Sequence, residues 1–217
     1  GNTSGTNTGD QDGSETKVTA GTNVTVTGTG TTASPYVVNA TGGTSGHYVG
    51  ELFGGGIVFY VYNNGANGLI ASLDDLDGGS GVAWSATQTA TVPNGALDMT
   101  NGIDNTTAII TQDATAGYAA TLCNSYTGGG FTDWYLPSNR ELYLLCSQDI
   151  LIDQILDNDG NGATNGFSQE YLAPTYGRYW SSTEYGSSGA WGFNFYFGGS
   201  GSGSKSDAFF VRAVRAF

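Results

Sequence analysis

The sequence predicts an α+β protein: a mixed domain over residues 47–217, preceded by a short β-rich Gly/Thr segment over residues 1–46. Three observations lead there. Gly54-Gly-Gly-Ile-Val-Phe-Tyr-Val-Tyr62 and Leu69-Ile-Ala-Ser-Leu73 are apolar runs joined by Asn63-Asn-Gly-Ala-Asn-Gly68, the pattern of a β-hairpin. From Asn105 the apolar residues change to a helical period, and Ser138-x-x-Glu141 behind Pro137 opens a second helix with a capping box. Phe209-Phe-Val-Arg-Ala-Val-Arg-Ala-Phe217 is a short alternating run that reads as a closing strand.

Residues 1–46 are mostly Thr, Gly, Asn and Ser, with almost no core material. Lys17-Val-Thr-Ala20, Asn23-Val-Thr-Val-Thr27 and Tyr36-Val-Val-Asn39 are β-type pieces, punctuated by Gly21, Gly28-Thr-Gly30 and Ser34-Pro35. Such a segment buries too little to fold alone, yet β-branched residues at period two are not a disorder signature. It is therefore expected to be shared between chains, most simply three, in a homo-oligomeric shaft. Gly42-Gly-Thr-Ser-Gly46 reads as the boundary.

In the main domain the hairpin runs into Asp74, Asp75 and Asp77, which either hold a cation or are solvated in a turn. Trp84 is the obvious core anchor of the polar run 78–101. Ala108, Ile109 and Ile110 begin the first helix; Ala119, Leu122, Cys123 and Tyr126 continue one face of it, and Gly128-Gly-Gly130 ends it. Leu142, Leu145 and Cys146 share the inner face of the second. Cys123 and Cys146 thus point at the helix–helix interface, as a disulfide or as two buried thiols. Asp157-Asn-Asp-Gly-Asn-Gly162 matches the first half of an EF-hand loop, with Asp157, Asp159 and Asn161 as candidate calcium ligands. Ser168 stands where the bidentate Glu belongs, and an ordinary Asn/Gly/Asp turn is the competing reading.

The functional signal lies in residues 178–217. Between Tyr179 and Ser204 every residue except Thr183, Glu184 and Ala190 is Gly, Ser, Asn or aromatic. That is a paratope composition: Tyr and Trp give rigid contact area, and Ser, Gly and Asn give adaptable hydrogen bonding. A flexible Gly/Ser linker would not carry so many rings. The candidate ligand-binding residues are Tyr179, Tyr185, Ser188, Trp191, Phe193, Asn194, Tyr196, Ser202, Ser204 and Asp207, on a loop backed by the strand at 209–216.

Charge and composition exclude other classes. A net charge of -13 argues against nucleic acid and anionic lipid, both of which need basic patches. No apolar run approaches the ~20 residues that span a bilayer, so no membrane insertion is expected. Arg178, Lys205, Arg212 and Arg215 are four of the six basic residues, and the simplest expectation is that they pair with carboxylates. The single histidine, His47, cannot build a zinc site and lies badly for a nucleophilic triad. Neither an enzyme activity nor a cofactor beyond calcium is expected.

GGGIVFYVY, GLIAS, NGIDNTTAII, AATLCNSYTGGGFTDWYLPSNREL, YWSSTE and VRAVR, in that order, resemble a bacterial domain family. It includes the C-terminal domain of collagen-like adhesins, on the formylglycine-generating-enzyme branch of the C-type lectin-like fold. The resemblance implies two helices on a small twisted antiparallel core, with a long ligand-bearing loop region before the last strand. Asp133, Trp134, Leu136, Pro137, Glu141, Trp180, Ser181, Ser182 and Glu184 match the family pattern and are read as scaffold. The stretch 185–207 resembles the variable region of proteins diversified by retroelements, whose residues are reached from Asn codons, between fixed frames at Trp180–Glu184 and Val211–Arg215. The SGTNTGDQ and AGTNVTVTGTGTTASPYVVNA runs resemble shaft pieces of phage tail fibres and bacterial surface fibres. Both cysteines lie in the helical frame and not in the C-terminal site the enzyme branch uses, and the E-P-N, Q-P-D and W-N-D calcium triplets of sugar-binding lectins do not occur. The resemblance implies an extracellular receptor-binding or adhesion module, on a virion fibre or bacterial surface, facing a host or cell-surface protein or glycan. A structural fibre subunit is the alternative, and a formylglycine-generating-type oxidase ranks third.

Overall fold

The computed structural model describes residues 19–20, 24–29, 33–40, 46–93, 95–160, 166–167 and 177–217. The chain divides into two units, residues 1–45 and 46–217. Lys17, Val18 and residues 42–45 of the expected boundary lie outside the described residues. In the first unit β1 (Val24–Thr27) pairs antiparallel with β2 (Val37–Ala40), Val24 opposite Ala40 and Thr27 opposite Val37. Gly28, at φ +91°, opens the turn that Thr29 closes by donating to the Ser34 carbonyl at 3.0 Å. Val37 and Val38 remain exposed, so the described part of this hairpin has no core of its own.

The second unit opens with β3 (Leu52–Phe53) and β4 (Gly56–Tyr62), which turns through Asn63 and Asn64 into β5 (Asn67–Ser72). Both asparagines take positive φ, a region that Asn tolerates better than most side chains. There follow α1 (Gly102–Gln112), α2 (Ala119–Ser125), α3 (Asn139–Cys146) and α4 (Asp149–Asn158). The strands β6 (Arg178–Glu184), β7 (Gly189–Asn194), β8 (Gly199–Ser204) and β9 (Val214–Ala216) complete the unit. One antiparallel sheet has the order β3-β4-β5-β9 and the other β6-β7-β8. Helices and small antiparallel sheets make the fold α+β. No helix among the described residues is long and apolar enough to cross a membrane.

Three sequence expectations change. The first expected helix is two, because the Asp113 carboxylate accepts the Thr115 N–H at 3.1 Å and the Thr87 hydroxyl at 2.9 Å, and Gly117 follows at φ +88°. Side-chain bonds to local backbone outcompete the helix there. A fourth helix, α4, buries Ile152 and Leu156 in the core cluster that also holds Leu142 and Leu145 of α3. The expected long loop before the last strand is instead largely the hairpin β7–β8, and the regular closing strand shortens to β9. Residues 209–213 stay extended but bond in turn to different segments. Phe209 exchanges bonds with Val82, Phe210 with Arg178 and Trp180, and Val214 with Tyr135. Ala213 accepts from Ser72, and Phe217 exchanges bonds with Gly68.

The core falls into two clusters. One gathers Trp84, Trp134, Trp180, Phe209 and Val211, and the other Phe59, Leu142, Tyr179, Phe193, Phe195 and Phe210. Trp84 is fully buried, its indole N–H donating to the Ser181 carbonyl at 2.8 Å. Neighbouring residues of β6 feed different clusters, Trp180 the first and Tyr179 the second.

Candidate ligand-binding face

The frame of the face is β6, whose side chains Ser181, Ser182, Thr183 and Glu184 are buried and hydrogen-bonded to partners. The Ser138–Glu141 capping box is present, and Glu141 also accepts the Tyr135 hydroxyl at 2.8 Å. Pro137 accepts the Ser182 N–H at 2.7 Å, the Thr183 hydroxyl donates to the Asp98 carbonyl at 3.0 Å, and Ser181 Oγ donates to the Trp191 carbonyl at 2.8 Å. Asp133 pairs with Arg215, and the Trp134 indole bonds the Gly128 carbonyl. All of these are scaffold contacts.

Buried charge fixes the loops on either side. Lys205, fully buried, puts Nζ 2.5 Å from Glu184 Oε1, 2.8 Å from the Ala90 carbonyl and 4.8 Å from the Trp84 ring centre. Glu184 Oε1 also accepts the Val92 N–H at 2.9 Å. Arg212 donates to Asp75 at 2.8 Å and to the carbonyls of Ser72 and Gly166. The Asp75 neighbourhood raises the Arg212 pKa despite its burial. Asp77 accepts the N–H groups of Val211 and Gly81, and the Asp74 carboxylate accepts the Asp75 N–H. The three aspartates therefore serve the fold. Arg178 differs: among the described residues no carboxylate lies within ion-pair distance of it, and its guanidinium carbon stands 5.4 Å over the Phe209 ring.

Across the sheet, Trp191 lies opposite Ser202 and Phe193 opposite Ser200, while Gly192 faces Gly201. Gly199, Gly201 and Gly203 share one face of β8, and Ser200, Ser202 and Ser204 the other. Glycine is required where β8 meets Phe209: a Cβ at Gly203 would stand 2.6 Å from its Cζ, whereas one at Gly201 would meet nothing within 4 Å. Ser204 has its N–H and carbonyl closed by Asp207, at 2.9 and 2.8 Å. Among the described residues, three depressions open around this hairpin. The largest, about 560 Å³, is lined by Arg178, the turn Tyr185–Gly189, Ser202, Gly203, Ser204 and Asp207. A smaller one of about 210 Å³ lies between Arg178, Asn194, Phe197 and the β8 glycines. The third, about 380 Å³, is aromatic, with Tyr143, Phe193, Phe195, Tyr196 and Phe197 among its lining.

The ten expected ligand residues thus separate. Tyr185, Ser188, Ser202, Ser204 and Asp207 converge on the largest depression, with Tyr185 59% exposed. Trp191 is partly exposed and packs edge-on to Tyr185 with ring centres 5.0 Å apart. Tyr196, 52% exposed, belongs to the aromatic depression beside Phe197, 68% exposed. Tyr179 is a correction: it is core, and its hydroxyl donates to Asp75 at 2.8 Å, while Phe193 is buried and reaches only the wall of the aromatic depression. Strand alternation turns their rings away from the face that Arg178 occupies. Asn194 is buried and accepts the Phe197 N–H at 2.7 Å, which shapes the turn. Sequence reasoning missed Arg178 and Phe197; position Arg178 next to the core residue Tyr179 in a strand was the available signal.

Of the candidate calcium ligands, Asn161 lies outside the described residues. Asp157 accepts the Gly166 N–H at 3.3 Å, and Asp159 caps α4. Among the described residues no group of three His, Cys, Asp or Glu could hold a metal ion. Cys123 and Cys146 are free thiols in different core clusters. Burial, with Asp77 adding, raises the Cys123 pKa well above a thiol's ordinary value, and burial with Asp149 pushes Cys146 up to about 12. Neither presents a thiolate at neutral pH.

The sequence profile of the Lcl C-terminal domain matches residues 76–215, from the turn after β5 through β9. No curated protein matches the chain.

Proposed function

The chain belongs to the Lcl C-terminal domain family, and from that membership we propose that residues 46–217 are a receptor-binding or adhesion module with a C-type lectin-like scaffold. Its binding face is the β6–β7 turn, the β7–β8 hairpin and the Asp207 turn, with a host or cell-surface receptor as partner and an extracellular location on a fibre or cell surface. The observation that carries this reading is the convergence of Tyr185, Ser188, Ser202, Ser204 and Asp207 on one open depression of about 560 Å³. That volume falls in the range of small-ligand sites, and the surrounding sheet is held by buried ion pairs, so the face is preorganised. The paratope-like composition of 185–207 also fits a face diversified by a retroelement.

Binding is expected to be lost when Trp191 and Tyr196 are both replaced by alanine, while the melting temperature moves by only a few degrees. Both rings are partly exposed, and truncating fully buried aromatics would cost ~3–5 kcal/mol each. Receptor-cell binding measured alongside thermal melts decides it: a collapse of the fold would make these rings core and end the reading. The structural-subunit alternative draws on the exposed Tyr143, Ile150, Tyr196 and Phe197, which a neighbouring copy could cover.

A further inference from the structure

We propose that the largest depression takes a sugar carrying a single carboxylate, such as the acidic terminal residue of a glycan, with Arg178 as its carboxylate-binding group. This deepens the receptor-binding reading and rests on it. Three observations converge.

The first is the state of the cations. Lys205, Arg212 and Arg215 each hold a carboxylate, at 2.5, 2.8 and 2.5 Å, but Arg178 has none among the described residues. It is partly buried, stands over the Phe209 ring and forms part of the wall of two depressions. A guanidinium partly removed from water and backed by an aromatic ring is prepared for a planar anion, which it can grip with two parallel N–H bonds.

The second is the chemistry of the wall. Ser187 and Ser188, in the β6–β7 turn, bring two hydroxyls that have no protein partner among the described residues, beside the backbone of Gly186, Gly189 and the β8 residues Ser202–Ser204. That wall offers donors and acceptors in every direction and little apolar surface, which suits a polyhydroxylated ligand better than a hydrophobic side chain.

The third is charge. A chain with net charge -13 repels a polyanion, and Asp207 sits on the same depression as Arg178. One cation beside one anion complements a ligand with one carboxylate and neighbouring hydroxyl donors, whereas a multiply sulfated chain would meet Asp207 and the field of the whole molecule.

Titration of the full chain with the methyl glycosides of N-acetylneuraminic acid and glucuronic acid, with methyl glucoside as the neutral control, tests this by NMR shift mapping. The expected result is millimolar or tighter binding of at least one acidic sugar, with shifts at Ser188 and Ser202, and no binding of methyl glucoside. Arg178→Gln should weaken it at least tenfold, and Arg178→Lys, which keeps the charge and loses the fork, should weaken it to an intermediate degree with melting unchanged. Equal binding of acidic and neutral sugars, or unchanged affinity in the Arg178→Lys and Arg178→Gln variants, overturns the proposal. So does equal binding of N-acetylglutamate amide, which would assign the depression to acidic protein side chains. Receptor-cell binding that persists while every acidic sugar fails would sink this inference and leave the receptor-binding reading standing; loss of both would sink both.

Discussion

At the scale of single residues, this protein commits three of its four C-terminal cations, Lys205, Arg212 and Arg215, to carboxylates of its own fold. Lys205 joins the 90–92 segment to Glu184, and Arg212 joins β5 to Gly166 through Ser72 and Asp75. A buried pair contributes little compared with apolar residues of its shape, but removing one member strands the other. Lys205→Met is therefore expected to cost about 3–5 kcal/mol, and adding Glu184→Gln to it should recover part of that loss. Urea unfolding of the two singles and the double checks the coupling; additive losses would show that the pair acts through packing alone. The sequence already placed these cations beside many carboxylates. What it could not assign was which of the four C-terminal cations stays unpaired, because pairing depends on the distant Asp75, Asp133 and Glu184, and only the fold brings these together.

At the scale of elements, legibility followed the strength of the local signal. The β4–β5 hairpin, with its Asn/Gly turn, and the α3 capping box were readable because each is fixed by neighbours in sequence. The hairpin β7–β8 was not, since Gly-Ser-Gly-Ser-Gly-Ser has weak strand propensity and owes its conformation to β7 and to the Phe209 ring lying against Gly192 and Gly203. Two substitutions on the same strand separate those roles. Gly203→Ala drives a methyl into Phe209, which is stacked on Trp180 at 4.0 Å, and should cost about 1–3 kcal/mol. Gly201→Ala has open space and should leave stability within about 0.5 kcal/mol. Chemical denaturation of both proteins checks the contrast, and equal losses would remove the Phe209 contact as its cause. The expected site suffered from the same ambiguity: aromatic residues at 179 and 193 look alike in sequence to those at 185 and 196, and strand register alone sends the first pair inward.

At the scale of the whole molecule, the two units contrast in how they bury apolar surface. The second has two packed clusters, whereas the described hairpin of the first leaves Val37 and Val38 exposed. Exposed β-branched strands are stable when another chain covers them, so the first unit is expected to drive self-association, most simply as a trimer, and multivalent display would raise avidity for a weak ligand. Light scattering at micromolar concentration should find the full chain oligomeric and a chain starting at Gly46 monomeric. A monomeric full chain, or an equally oligomeric truncation, ends that expectation.

The run 209–217 is bonded to segments beginning at Gly68, Ser72, Val82, Tyr135 and Arg178, far apart in the chain. In the order of synthesis it comes after all of them. The hairpin that carries the proposed binding surface therefore leaves the ribosome before the residues that lock its frame. Such long-range closure makes folding slow relative to helix formation, and until it occurs the aromatic residues of both clusters are open to chaperones and to other nascent chains.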